Sequence, residues 1–370
     1  MPNQPVIIII SLLLGLCSGV IMHRSDFCIA GMFRDLFLFR SSPLLRSLLL
    51  LITISMLLFE AARLIGLLNY QLPSSLYGLP SLANLFGGVL FGVGMVLAGG
   101  CAVGTLYKLG SGNGSAFFAL SGLIAGSTIF AEFHPAWKQF SASTRLADVA
   151  TLPQLLSLPK PLTILPLVTI FSILLIFWQR QGMMKRPSIV KGYLQPRTAA
   201  VMLAGIVFFS FALIGMPLGL TTSYAKIGAF LENLAAPEHF ATLEYFHAQG
   251  FRYYSPLAHH TLSAGAGPAW DGLSLAQFPL IIGIVGGSAA SAILMGKFHI
   301  SLKLPKAQII SALLGGLLMG AAARMAPSCN VWHLLGGLPL LSLQSILFTL
   351  GLLPGAWCGS KLLTRFVLKA

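Results

Sequence analysis

Charge is what this chain has least of. Only 9% of its 370 residues are Asp, Glu, Lys or Arg, against roughly 25% in a typical soluble domain. Acidic residues are scarcest, nine against 23 basic ones. With 56% hydrophobic residues and a mean hydropathy of +0.85, the composition excludes a soluble globular protein. Continuous apolar runs of helical length exclude a β-barrel, whose strands would show short alternating segments. The net charge of +14 does not indicate a nucleic-acid partner, because the basic residues gather in particular short loops and form no basic patch. Five cysteines without a CxxC pair exclude a disulfide framework and a zinc site. The chain has no phosphate loop, nucleotide fingerprint or soluble catalytic stretch. Neither an enzyme, a cofactor, a metal nor ATP-driven work within this chain is expected. The first apolar run, 6–22, has no basic residue before it and no small-residue cleavage pattern, so it reads as a retained span.

What the chain does have is a repeated glycine-rich stretch with a cysteine. Residues 87–110 read GGVLFGVGMVLAGGCAVGTLYKLG, and residues 315–331 read GGLLMGAAARMAPSCNV. Aligned without a gap, they share Gly87/Gly315, Gly88/Gly316, Leu90/Leu318, Gly92/Gly320, Ala98/Ala326, Cys101/Cys329 and Val103/Val331. A matched cysteine among matched glycines points to an internal repeat.

Nine candidate spans of membrane length follow: 6–22, 44–68, 83–100, 115–133, 162–178, 198–216, 277–295, 307–325 and 343–360. Lys and Arg cluster after the first, fifth, seventh and ninth spans, including Arg24, Arg34, Arg40, Arg46, Lys185, Lys191, Arg197, Lys297 and Lys369. These lie on one side if the N-terminus is outside and the C-terminus cytoplasmic. The uncharged loop 69–82 and the segment 218–276, with Glu232, Glu238, Glu244 and Asp271 against Lys226 and Arg252, fall outside. The third and eighth spans then carry the same motif in opposite directions. The expected organisation is a first inverted repeat (1–140, spans one to four), a connector with span five and a basic loop (141–197), and a second repeat (198–370, spans six to nine). The second repeat carries the outer insertion 218–276, read as one long irregular region forming a cap or lid. A fainter match pairs residues 28–35 with 225–232, so Ala225 stands where the first half has Cys28. Inverted repeats mark many transporters, whose sites lie near the midplane where broken helices meet.

Cys101 follows Gly99-Gly100 and precedes a stretch too short to cross a bilayer. A half-helix lining a cavity fits it, since irregular backbone survives at depth only there. Glycines let the backbone approach a ligand, and the N–H groups opening such a helix attract anions. Cys329, after Ser328, repeats the arrangement, and Cys28 opens another short segment. Arg24, Arg34 and Lys108 could draw an anion inward or serve as interfacial anchors. Trp332 and His333 could line the outer approach or pack. Glu60 and Arg63, three apart, are expected to pair with each other. Cys17 and Cys358 lack the glycine context and read as packing residues. Tyr245, His247, Tyr253, Tyr254, His259 and His260 in the outer segment match no standard metal-ligand spacing.

HRSDFCIAGMFRD, LAGGCAVGTLYKLGSG, PLGLTTS and SCNVWHLLGG, in that order, resemble the YeeE/YedE family of bacterial inner-membrane sulfur transporters. The resemblance spans nearly the whole chain. It implies an all-α, hourglass-shaped integral membrane protein with nine spans plus short half-inserted helices. It also implies three central thiols, Cys28, Cys101 and Cys329, that pass thiosulfate along by S–H···S contacts, and a small cytoplasmic sulfur-carrier protein as a plausible partner. Where many members read Ala-Gly-Gly-Cys, this chain reads Ala326-Pro327-Ser328-Cys329. Neutral thiols suit a transport path. They are weak donors and acceptors, so they bind and release, whereas thiolates would repel a dianion. The substrate pathway is therefore expected at Cys28, Cys101, Cys329, Gly99, Gly100, Ser328, Arg24, Lys108 and His333. The residues leave open another small sulfur or selenium compound as cargo, a channel for another solute with packing cysteines, and a membrane thiol oxidoreductase.

Overall fold

The computed structural model describes residues 4–67, 76–186, 192–248, 250–301 and 303–368. Residues 68–75, Lys191 and Lys369, which bear on the expected span limits and orientation, lie outside them. Among the described residues, nine helical stretches are long and apolar enough to cross a membrane, and the chain is an all-α integral membrane protein with one small hairpin.

The long helices are α1 (Gln4–Ser25), α3 (Pro43–Leu64), α4 (Leu82–Leu97), α6 (Gly114–Ser143), α8 (Lys160–Arg180), α9 (Pro196–Phe209), α13 (Gly272–Leu294), α14 (Lys306–Met325) and α15 (Leu343–Leu363). Short helices interrupt them: α2 (Ile29–Phe39), α5 (Ala102–Gly110), α7 (Leu152–Leu155), α10 (Thr221–Ala235), α11 (Pro237–Thr242) and α12 (Glu244–His247). π-helical turns extend α9 (Ser210–Ile214) and follow α14 (Trp332–Gly337). Local chemistry sets the starts. Ser81 and Asn84 form a capping box on α4, Asn113 caps α6 by accepting from Ser115 N, and Asp271 caps α13 by accepting from Leu273 N and Ser274 N. Span limits agree with the sequence reading to within a few residues except at α6, which runs on to Ser143 despite Pro135.

The helices pack in matched pairs. α4 lies along α15 and α14 along α6; α1 lies along α13 and α3 along α9; α2 touches α15 and α10 touches α6; α4 and α14 meet each other. Glycine makes the closest of these contacts. A methyl on Gly92 would stand 2.6 Å from the Leu352 carbonyl oxygen and 2.7 Å from Ala356 N, and one on Gly94 would stand 2.7 Å from the Gly315 carbonyl oxygen. Helix backbones in contact gain dispersion that lipid cannot supply. α8 is a peripheral helix, mostly exposed along its apolar length, as a lipid-facing helix should be.

The segment 218–276 is not the irregular region its composition suggested. It opens with α10, whose first turns are buried, and only then becomes a cap. In the cap, α11 and α12 pack Phe240, Leu243 and Phe246 against Ala131 of α6 and Ala229 of α10. Strands β1 (Phe251–Ser255) and β2 (His260–Ala264) pair antiparallel, with Tyr253 opposite Leu262. The Tyr253 hydroxyl donates to the Gly272 carbonyl at 2.9 Å, tying the hairpin to α13. Lys226 is buried, pairs with Asp271 at 3.0 Å and donates to the carbonyls of Gly267 and Ala269. Its charge is consumed inside the fold and does not decorate the cap. Glu60 and Arg63 pair as expected. Cys17 and Cys358 are exposed on the helix surface and are not packed.

Candidate functional site

The three cysteines singled out by the repeats are buried: Cys28 and Cys101 are 2% exposed and Cys329 0%. Cys28 is the N-cap residue of α2, with extended backbone. Cys101 is the N-cap residue of α5, and its sulfur accepts the Gly104 N–H at 3.3 Å. Thr105 returns its hydroxyl to the Cys101 carbonyl at 2.9 Å. The break between α4 and α5 needs Gly99, which has φ +70°, a region other residues rarely adopt. Lys108, one α5 length away, folds back to donate its ammonium to the Gly99 carbonyl.

The Cys28 and Cys101 side chains approach each other at Gly104. Both sulfurs flank Gly104: a methyl there would stand 2.8 Å from Cys28 Sγ and 3.3 Å from Cys101 Sγ. Cys329 opens the second broken helix, and three residues on, the Trp332 carbonyl accepts the Tyr77 hydroxyl at 3.1 Å. The Tyr224 hydroxyl donates to the Ala102 carbonyl at 3.4 Å, beside Cys101. Tyr224 directly precedes Ala225, the residue aligned with Cys28. Asn330 stands next to Cys329 and donates to Met95 Sδ at 3.8 Å.

Two cavities lie near residues that neighbour these cysteines in sequence. On the basic face, a cavity of about 410 Å³ is lined by His23, Arg24, Asp26, Tyr107, Lys108, Ser111, Arg186, Tyr193, Met295 and Lys297. Asp26 is engaged by Tyr107 at 3.0 Å and Arg186 at 3.6 Å. Arg24 forms no ion pair among the described residues. On the cap face, a cavity of about 250 Å³ is lined by residues including His134, Thr222, Tyr245, Gln277, Arg324, Pro327, Ser328 and Trp332. Ser328 carries φ +91° without being glycine, a strained choice in the place of Gly100.

Most expected pathway residues therefore gather: Cys28, Cys101, Gly99, Gly100 and Lys108 in one cluster, Cys329 and Ser328 at the second break, and Arg24 in the basic cavity. His333 does not join them. It is fully buried, holds Ser345 Oγ through Nδ1 at 3.0 Å and stacks on Phe348 with ring centroids 4.2 Å apart. Its position is one of packing, while its neighbour Trp332 does line the cap-face cavity. Arg34 pairs with Asp35 at 2.8 Å. Gly104, Tyr224 and Arg324 were not singled out by sequence. An arginine inside an apolar span, five residues before the repeated cysteine, was the available signal.

Residues 24–358 match the sulphur transport family. The chain is 29% identical to the protein named thiosulfate transporter TsuA of Spirochaeta thermophila over 370 residues, covering 96% of this chain and 98% of that relative. It is 27% identical to the thiosulfate transporter TsuA of Escherichia coli K12, covering 96% of this chain and 94% of the relative. A shorter likeness, 29% over 143 residues, links it to the probable transporter YedE of the same organism. With its multi-pass helical body and a match extending from Arg24 to Cys358, the chain belongs to the sulphur transport family.

Proposed function

We propose that this chain carries thiosulfate into the cell across the bacterial inner membrane, with neutral thiols of Cys28, Cys101 and Cys329 passing the anion along a central path. One observation carries the reading: the Cys28 and Cys101 sulfurs converge on Gly104 at the starts of two half-helices. A thiol offers a weak contact to the soft terminal sulfur of thiosulfate, and weak contacts in series let the anion leave as readily as it enters. Sulfate, hard on every side, gains less from them. The full-length likeness to two thiosulfate transporters supports the same cargo.

In this reading the two halves are inverted copies, residues 1–140 and 198–370, and the paired packing of α4 on α15 and α14 on α6 supports that arrangement. The N-terminus is outside, the cap face meets the outer medium, and the basic cavity with Arg24 and Lys108 faces the cytoplasm, where a small sulfur-carrier protein receives the cargo. The deciding experiment is uptake of labelled thiosulfate into proteoliposomes, with sulfate, sulfite and selenite as competitors. Cys101→Ala should fold and lose uptake. Unimpaired uptake by that variant would remove the thiol relay, and a stable Cys28–Cys101 disulfide in the resting protein would favour thiol redox chemistry instead.

A further inference from the structure

We propose that the cap-face cavity contains an oxyanion-binding station whose charged element is Arg324, and that substrate docks there by its oxygens before its sulfur reaches Cys329. The proposal deepens the transport reading and rests on it. Arg324 lies in the last turn of α14 and is 8% exposed. Its Nη2 donates to Thr221 Oγ1 at 2.7 Å, and its Nη1 to Thr222 Oγ1 at 3.2 Å and to the Tyr245 hydroxyl at 3.1 Å. All three partners are neutral. Among the described residues no carboxylate pairs with it, and the nearby Glu244 is held by Lys138 at 2.9 Å. Among the described residues its Nε is buried without a partner.

A buried guanidinium without a counter-ion is costly, and such a residue within an apolar span calls for a partner that comes and goes. The carbonyl end of α14 offsets part of the charge but supplies no hydrogen-bond acceptor for Nε. The planar fork of arginine matches two oxygens of a tetrahedral oxyanion. Two cavities, the one of about 250 Å³ and an adjoining one of about 350 Å³, are both lined by Arg324, His134 and Pro327. The position also fits a relay: Ser328, which directly precedes Cys329, lines the same cavity as Arg324. An anion held by its oxygens there can turn a terminal sulfur toward the thiol.

The station reads oxygens, so it accepts sulfate as well as thiosulfate, and discrimination falls to the thiols behind it. Sulfate should therefore compete for entry without being carried. In proteoliposomes, Arg324→Gln should raise the KM for thiosulfate about tenfold or more, as expected for loss of a charge-assisted contact, and abolish inhibition by sulfate. Arg324→Lys should recover part of both. Cys101→Ala in detergent should keep the rise in melting temperature that sulfate gives the wild-type chain, although its uptake is gone. An unchanged KM and unchanged sulfate inhibition in folded Arg324→Gln would overturn the proposal. If that variant does not fold, the wild type still decides, because a melting temperature indifferent to both sulfate and thiosulfate overturns it equally. Failure of the wild-type chain to take up thiosulfate, with both anions still raising its melting temperature, would sink the transport reading and leave the anion station standing.

Discussion

Gly104→Ala tests the thiol pair without touching either sulfur. The new methyl would stand 2.8 Å from Cys28 Sγ, 3.3 Å from Cys101 Sγ and 4.0 Å from Cys28 Cβ. Carbon and sulfur settle at roughly the separation of close-packed heavy atoms, so Cys28 Sγ must retreat by about 1 Å. The obstructing atom is the tip of a side chain, which can rotate away. The overpacking should cost about 1–3 kcal/mol, and replacing glycine inside α5 returns about 1 kcal/mol. The net loss of about 0–2 kcal/mol leaves a folded protein whose two thiols no longer meet. Uptake of labelled thiosulfate should fall about tenfold or more, as expected when a positioned group moves by an ångström. Adding Cys28→Ala removes the clashing sulfur and leaves the Cβ at an ordinary distance. The double variant should recover the melting temperature lost in Gly104→Ala while remaining inactive. A folded Gly104→Ala protein with wild-type uptake would refute the claim that contact between these thiols matters.

Three further outcomes follow from the geometry. Ser328→Gly relieves a φ of +91°, so it should stabilise the protein by a net of about 0.5–1 kcal/mol after the entropy that glycine loses on folding, read as a higher melting temperature. Gly92→Ala drives a methyl to 2.6 Å from the Leu352 carbonyl oxygen and 2.7 Å from Ala356 N, backbone atoms that cannot swing aside. It should lower stability by about 1–3 kcal/mol. On the cap, His239 lies between Glu232 at 2.7 Å and Glu132 at 3.1 Å. Its hydrogen bond to Glu232, reinforced by the charges of Glu132 and Glu232, raises its pKa above the ordinary histidine value. Because the folded-state value is the higher one, the contribution is complete below the unfolded pKa and disappears as pH rises through the folded pKa. Amide protection across α11, taken relative to the intrinsic base-catalysed exchange rate, should therefore fall on going from mildly acidic to mildly alkaline solution, and His239→Gln should flatten that dependence.

The spans were legible because lipid imposes about 20 apolar residues on each crossing, and both breaks were legible because a cysteine recurs at the same place in the repeated stretch. The pairing of Cys28 with Cys101 was also in reach, since each opens a short helix after a break. Arg324 was hidden by the very alignment that revealed the cysteines: its counterpart in the first copy is Val96, so comparison of the halves offers no match. Gly104 was hidden in the same way, opposite Trp332. His333 misleads because adjacency in sequence to Cys329 suggests adjacency to the path, whereas the π-helical turn points its ring at Phe348. Lys226 resembles a surface charge because nothing in the sequence places Asp271, 45 positions later, against it. Arg324 and Lys226 each find their partners in a distant part of the chain.

The glycine contacts between α4 and α15 and between α6 and α14 also bear on how cargo can move. Where backbone meets backbone, as at Gly92 against Leu352 and Ala356 or Gly122 against Gly316 and Leu317, helices cannot slide without lifting apart, and lifting forfeits the dispersion that holds them. A rocking-bundle cycle would have to break all of these seams at every turnover. Under the transport reading proposed above, the less costly route would keep the girders still and let the freight move by side-chain rotation. On the proposed thiol relay the protein would work as a fixed turnstile whose arms are sulfhydryls, not as a pair of swinging doors.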